Sequence, residues 1–519
     1  MAIKFNKTIL EPDYPVVQTK AGKLRGFVAD GVFNFRGVDY ARADRFMLPK
    51  PLEPWDGIKN ATDYGYTCLT INQNSPEGNF TIMHRYWPQS EDCLNLNIWT
   101  NSLDPAAKKA VMVWIHGGCY LDGSSIEMVA YDGDELARTG DVVVVTVNHR
   151  LNLLGYLDLS DFGEKYRYSG VAGMGDLVAA LKWIQENIAQ FGGDPDNVTI
   201  FGQSGGSSKV ATLMQCPAAD GLYHKAITQS GAPNAGPTVT KEGALALGAE
   251  IVDGLGLNKN NIDEILTMSY QDILKGAAKK GRTKFEDFMW QLCPSPDGDY
   301  YKGLFLDVGF RPEVKHVPMI IGSNMGEFGF KPNVASFGLK TDEEKRAALE
   351  QFYHEDTDEL IRLFRRTYPD KDIALLSTTD DSVRLKVEKF ARMRAAQADA
   401  PVYNYMLSYV FPFNGGTTAW HCAEIPFVFR NTQLELSHVS GGPEEALKLE
   451  AAISGSWLAF AKTGDPNCAE IPEWTPYSEA CPATMFFDSP ACTVDVARDT
   501  ELMKLLMSKA WSPHRPDAD

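Results

Sequence analysis

The sequence predicts an α/β protein with a large, mostly parallel central sheet flanked by helices. Three observations carry that prediction. Short β-branched runs such as Val142–Val147 alternate with helix-length segments, the signature of buried parallel strands covered on both faces. One of these runs, Val198–Phe201, leads into Gly202-Gln203-Ser204-Gly205-Gly206, and a helix-compatible segment from Ser208 to Met214 follows it. Two charged, helix-rich stretches, 235–315 and 340–400, interrupt the alternation and read as excursions above the sheet, forming walls or a lid over a site at its edge.

In chain order, residues 15–40 alternate and carry turn glycines (Gly22, Gly26, Gly31), which predicts a small antiparallel meander. Val111–Ile115 and Val142–Val147 are the first buried strands. Asp176–Gln190 is a helix with Leu177, Leu181, Ile184 and Ile188 on one face, stopped by Gly192-Gly193. Val198–Phe201 and Ala226–Gln229 follow as strands, then Val317–Ile321 and Asn404–Tyr409, with Thr484–Phe487 as the last. Residues up to Pro12 and the polar tail from Pro513 read as frayed ends. No internal repeat breaks the pattern, so the reading is a single domain over 1–519.

With 44% hydrophobic residues the chain holds ample core, and its net charge of −18 argues against nucleic-acid binding and against a basic membrane-binding patch. No apolar run has the length of a transmembrane helix. The first residues lack the apolar core of a signal peptide, so the expected location is cytoplasmic unless a leader was removed. A monomer or weak homo-oligomer is expected. Nine cysteines leave at least one thiol unpaired, and none forms a CxxC pair that would suggest structural zinc. Neither a metal nor a cofactor is expected.

The Gly-x-Ser-x-Gly turn points to a serine nucleophile. A strand-to-helix turn of this kind exposes Ser204 in a strained conformation and needs small residues two positions either side. The Gly205 N–H then lies at a helix N-terminus, where developing negative charge is stabilised. A serine nucleophile also needs a base, an orienting carboxylate and an oxyanion hole. The loop His116-Gly117-Gly118-Cys119 directly follows a strand and supplies Gly118 and Cys119 N–H groups as further donors. Among nine histidines, His421 lies late in the chain, in a loop after a strand, as the order Ser…acid…His requires. His149, in Asn148-His149-Arg150, reads as a polar brace at a strand end. Glu327 follows Val317–Ile321 through a glycine-containing loop, which puts a carboxylate at a strand's carboxyl end.

Beyond these residues the chain resembles the type-B carboxylesterase/cholinesterase family of α/β-hydrolases, and bacterial para-nitrobenzyl-esterase-like carboxylesterases within it. The resemblance runs over nearly the full length. It rests on Phe35–Ala41, Ser90–Trp99, the His116-Gly117-Gly118 loop, Asn148–Leu151, Phe191–Thr199, Gln229-Ser230-Gly231 and His421–Pro426. It implies an α/β-hydrolase fold with Ser204 as nucleophile, Glu327 as acid and His421 as base, and Gly118, Cys119 and Gly205 as oxyanion donors. It further implies an Arg45–Glu91 ion pair, a Cys68–Cys93 disulfide and Ser230 near the acid. Three positions depart from the family pattern: Cys119 stands where a third glycine is usual, Gln203 where glutamate is usual, and Asp39–Arg45 is shorter.

The function these residues imply is hydrolysis of small neutral carboxylic esters through an acyl-enzyme on Ser204. Gln203 removes a charge that helps cholinesterase-like relatives hold cationic alcohols. Trp87, Tyr120, Trp420 and Phe427 are the aromatic candidates for the substrate gorge, although core packing places such residues equally often. Two other readings are amide hydrolysis by the same triad and a non-catalytic adhesion protein on the same fold. The filled triad positions speak against the second.

Overall fold

The computed structural model describes residues 7–71, 84–231, 240–329 and 331–508. They form two compact units: 7–71, 84–227 and 240–315 make the first, and 228–231, 316–329 and 331–508 the second. Of the stretches expected to wall or cover the site, 340–400 is described throughout and 235–315 from residue 240 onward; residues 235–239 lie outside this description.

In the first unit, strands β1 (Thr8–Ile9), β2 (Phe27–Ala29), β3 (Val32–Asp39), β4 (Asn95–Thr100), β5 (Lys109–Ile115), β6 (Val143–Val147) and β7 (Gly193–Gln203) lie in the order β1-β2-β3-β4-β6-β5-β7. Pairing is antiparallel as far as β4–β6 and parallel across β6–β5–β7. The parallel part is the interior. All of β6 is buried and so is β5 after Lys109, because helices leave neither face to water. Trp114 on β5 packs against Phe201 on β7 and against Tyr131. The helix predicted over Asp176–Gln190 spans Ala172–Asn187 and runs on as a 3-10 turn to Phe191, where Gly192 at φ 76° ends it.

The expected N-terminal meander is divided. Val16–Gln18 pairs with Lys23–Arg25, which pairs on its other side with Ile58–Asn60 in a separate three-stranded sheet, while β2 and β3 belong to the main one. Gly26 is the switch point. A Cβ there would lie 2.2 Å from the Asn34 carbonyl oxygen, so the chain crosses between sheets where only glycine fits.

Strand β8 (Lys225–Gln229) carries the chain out of the first unit. In the second unit β9 (Met319–Asn324), β10 (Val402–Leu407) and β11 (Ala483–Phe487) run parallel. A further antiparallel strand, β12 (Thr493–Val496), was not expected; it pairs with β11 and replaces it as the last strand. None of its four residues is buried, Val494 and Val496 included, so it carries no buried-strand pattern. The helix Arg384–Gln397 packs on β9 and β10, so this part of the supposed excursion 340–400 flanks the sheet. Helices Asp342–Tyr353 and Thr357–Thr367 bury Leu349, Leu360 and Phe364 in one apolar cluster with Met406 and Phe486.

Candidate active site

Ser204 sits between β7 and the helix Gly205–Leu213, at φ 55° and ψ −123°. A non-glycine residue avoids that backbone region unless its surroundings force it there. Here the surroundings are backbone. A Cβ on Gly202 would come within 2.6 Å of both Ile115 O and Gly206 C, and one on Gly206 within 2.0 Å of Ile115 O. The glycines two residues either side of Ser204 are therefore steric requirements of the turn.

The loop 116–123 lies against this turn. Gly117 approaches Gln203 and Ser204 so closely that a Cβ would stand 3.2 Å from Gln203 O and 3.5 Å from Ser204 Cβ. A Cβ on Gly205 would meet the backbone N, Cα and O of Cys119 at 2.3–2.4 Å. Gly205 therefore lies beside the Gly118-Cys119 backbone, the other stretch expected from the sequence to supply donors. The Gly118 carbonyl accepts from the N–H groups of Leu121 (3.1 Å) and Asp122 (3.0 Å), which fixes the peptide that carries the Cys119 N–H. Gly118 and Cys119 both take positive φ, 79° and 56°. Burial pushes the Cys119 thiol up to about 11, so it stays protonated at neutral pH.

Beneath the loop, the buried rings of His116 and His149 stack with centroids 5.0 Å apart. Burial, and then the Lys209 charge, hold both well below the ordinary histidine range, so both are neutral. His149, expected as a polar brace, has Nδ1 3.0 Å from Arg150 O, and the neighbouring Arg150 pairs with buried Asp176, with Nε 2.8 Å and Nη2 2.6 Å from the carboxylate oxygens.

The second unit holds Glu327 and His421, the residues expected as acid and base. Glu327 is buried, and its Oε2 lies 2.5 Å from His421 Nδ1. Its Oε1 accepts from the Asn324 N–H at the end of β9 (2.6 Å). The backbones are tied as well: the His421 N–H donates to Glu327 O, and the Gly326 and Glu327 N–H groups both donate to Ala419 O. Phe328 covers the imidazole with ring centroids 4.1 Å apart.

A second carboxylate, Glu424, lies behind this pair. It accepts from Asn324 Nδ2 (2.6 Å), Gln229 Nε2 (3.2 Å) and Ser230 Oγ (3.4 Å). Burial and then the charge of Glu327 raise its pKa, and the same two causes push buried Asp380 up to about 6. Glu424 lies within the His421–Pro426 motif, and neither it nor Asn324 nor Asp380 has a role legible in the sequence. Asn324 is signalled by the strand it ends and Glu424 by its nearness to His421, whereas Asp380, between the turn Ile373–Thr378 and the helix Arg384–Gln397, has no such signal.

The remaining candidates fall in varied surroundings. Gln203 is buried behind Gly117. The Tyr120 hydroxyl bonds Thr212 Oγ1 at 2.9 Å, and its ring packs edge-on against Tyr156. Trp87 is partly exposed and meets Tyr64 edge-on. Phe427 is fully enclosed among Tyr409, Phe411 and His438, with Trp420 at the edge of the same cluster. The Arg45–Glu91 pair is present, with Nε 2.8 Å from Oε2, and Arg45 also donates to the carbonyls of Ile265 and Met268. The implied Cys68–Cys93 disulfide is absent. Both residues are buried free thiols. A hydrogen bond to Cys68, with burial, raises the Cys93 thiol, and the Leu151 N–H donates to Cys68 Sγ (3.3 Å), so the pair is satisfied in the reduced form.

Strand-borne serine elbow, glycine loop and buried carboxylate–histidine pair define the α/β-hydrolase class, and the fold agrees with esterases of known structure. An esterase from anaerobic Clostridium hathewayi, which can hydrolyze aliphatic aromatic polyesters, superposes with a TM-score of 0.90 at 44% identity over 97% of this chain and 100% of its own. The carboxylesterase family model matches residues 13–505. The para-nitrobenzyl esterase of Bacillus subtilis is 34% identical over 96% of this chain and 99% of its own length. The phenmedipham hydrolase of Pseudarthrobacter oxydans is 30% identical over 93% and 97%. The chain belongs to the carboxylesterase family and is a carboxylic ester hydrolase. Among the described residues, no helix is long and apolar enough to cross a membrane.

Proposed function

We propose that the protein hydrolyses neutral carboxylic esters through an acyl-enzyme on Ser204, with His421 as general base and Glu327 as the acid that orients it. The observation that carries this reading is the strained Ser204 conformation, held by glycines against a loop whose peptides supply the donors for an oxyanion. With Nδ1 engaged by Glu327, the imidazole uses Nε2 as the base. In this mechanism Nε2 takes the Ser204 Oγ proton as the oxygen attacks the ester carbonyl. The N–H groups of Gly118, Cys119 and Gly205 receive the tetrahedral oxyanion. The imidazolium then returns the proton to the departing alcohol, and water repeats the cycle on the acyl-enzyme.

The neutral, buried Gln203 supports uncharged esters of short to medium acyl chain as substrates. The relatives named a para-nitrobenzyl esterase and an esterase that can hydrolyze aliphatic aromatic polyesters fit uncharged esters as substrates. A fluorophosphonate probe is expected to label Ser204, identified by peptide mass. Ser204→Ala is expected to lower kcat about 10⁶-fold without changing Tm. Near wild-type turnover by that variant overturns the assignment. For substrate charge, kcat/KM for butyrylthiocholine is expected to fall below that for an uncharged thioester of equal size; the reverse order removes the neutral-ester reading.

A further inference from the structure

Lys209 lies on the helix that follows the nucleophile, and its relative exposure is 0%. A lysine in such a place is rare, because burial strips water from the ammonium. Its Nζ donates to two backbone carbonyl oxygens, His116 O at 3.0 Å and Gly117 O at 3.2 Å. Burial lowers the ammonium to about 7, yet both protonation states of an amine keep N–H donors for these contacts.

The identity of those carbonyls matters. A carbonyl and the following N–H share one rigid peptide plane and point in opposite directions. Gly117 C=O therefore shares its plane with the Gly118 N–H, one of the three oxyanion donors. The His116 ring supports the same point, since its Nδ1 is 3.0 Å from Gly117 O, and an oxygen that only accepts requires that nitrogen to carry the proton. The next plane, Gly118 C=O with Cys119 N–H, is secured by the Leu121 and Asp122 N–H groups. Among the described residues, no backbone N–H donates to the Gly117 carbonyl. The residues flanking that peptide are also glycines, whose φ and ψ ranges permit a peptide flip that other residues resist.

We propose that Lys209 is a positioning residue for ester hydrolysis: by donating to the His116 and Gly117 carbonyls it keeps the Gly117–Gly118 peptide turned so that the Gly118 N–H faces the oxyanion. Donation to a peptide's carbonyl also polarises its N–H, strengthening the bond made on the opposite side. Lys209 touches no substrate and transfers no proton in this role. The proposal rests on the Ser204 acyl-enzyme reading.

The test begins with the wild-type protein. Labelling of Ser204 by a fluorophosphonate establishes the acyl-enzyme reading, and failure there defeats that reading before Lys209 is questioned. Lys209→Met then keeps the length and apolar stem of the side chain while removing the donors. It is expected to lower kcat for p-nitrophenyl acetate about 10- to 100-fold with KM within twofold. Affinity for an aryl trifluoromethyl ketone, which forms the tetrahedral oxyanion on Ser204, is expected to weaken by the same factor. Lys209→Gln, which keeps one amide donor, is expected to fall between them, at least threefold below wild type in kcat. A folded Lys209→Met protein with kcat and ketone affinity within twofold of wild type overturns the proposal. So does a lower kcat with unchanged ketone affinity, which marks a purely structural role. Should Lys209→Met not fold, Lys209→Gln decides, and wild-type kcat and ketone affinity in that variant overturn the proposal.

Discussion

The two units hold their reactive groups by different means. In the first, Ser204 and its neighbouring loop are fixed by backbone packed so closely that side chains are excluded, with gaps of 2.0–2.6 Å at the positions where Gly202, Gly205 and Gly206 lack a Cβ. In the second, Glu327 and His421 are fixed by side chains: Asn324, Glu424, Gln229 and Ser230 form a buried hydrogen-bonded set behind them. The chemistry explains the contrast. An oxyanion is best received by peptide N–H groups that cannot reorganise, whereas a histidine that gains and loses charge needs an ionised partner and polar groups to satisfy it. The arrangement in the second unit has an electrostatic cost, visible in the raised pKa values of Glu424 and Asp380 around Glu327.

Among changes that leave Ser204 in place, the largest effect is expected on the side-chain half. Glu327→Gln presents an amide N–H₂ or a neutral oxygen to His421 Nδ1 and no longer stabilises the imidazolium. The kcat for p-nitrophenyl esters should fall about 10⁴-fold with KM little changed. A loss below tenfold would mean that His421 is oriented by its backbone ties alone, and the contrast between the units would collapse.

A smaller loss is expected when the backbone half is disturbed. Gly205→Ala puts a methyl group 2.3–2.4 Å from Cys119 N, Cα and O, and none of these atoms can swing aside as a side-chain tip would. The loop must retreat from the turn. Displacing one oxyanion donor is expected to cost about 10²-fold in kcat, with an equal loss in affinity for a trifluoromethyl ketone. Turnover within threefold of wild type would show that the loop yields easily and that the close packing around Ser204 is not what positions it.

Much of this contrast was legible in the sequence, and unevenly so. Backbone-determined features announce themselves locally: Gly202, Ser204 and Gly206 in one turn, Gly117 and Gly118 after a strand, and Val142–Val147 as a buried run. The strands β5 to β11 were found for that reason, within a few residues at their ends. Side-chain networks do not announce themselves. Glu424 meets Gln229 and Ser230 across about 195 positions, and Lys209 meets His116 across 93, so no window in the sequence contains both partners. Lys209 did carry one signal, a cation on a helix otherwise built of small and apolar residues. The Cys68–Cys93 pair shows the opposite error, since proximity inferred from resemblance was right but the bond was not: the two thiols are in contact and free. Strand β12 was missed because its residues are mostly exposed, and an edge strand needs no apolar pattern.

The smallest effect on activity, and the finest test of the contrast, concerns His438 in the second unit. It is fully buried among Phe411, Trp420 and Phe427, with Nε2–H donating to Ala423 O at 2.8 Å, two residues from His421. Burial lowers it to about 4, against an ordinary value near 6.5. Between those limits the unfolded chain binds a proton that the folded protein refuses. Folding stability from this group is therefore fully present above pH 6.5 and declines as the pH falls, by about 1.4 kcal/mol per unit until about pH 4. His438→Gln removes that contribution. The variant should be less stable than wild type at pH 7, where it has lost a packed ring, and the gap should close between pH 6.5 and 4 in urea unfolding, with kcat at pH 7 changed less than twofold. His116 and His149 in the first unit stay in both proteins, so their acid sensitivity cancels in the difference. A gap that stays constant with pH would mean that His438 takes up a proton as readily in the folded protein as in the unfolded chain, and that the side-chain half tolerates a charge among these apolar rings.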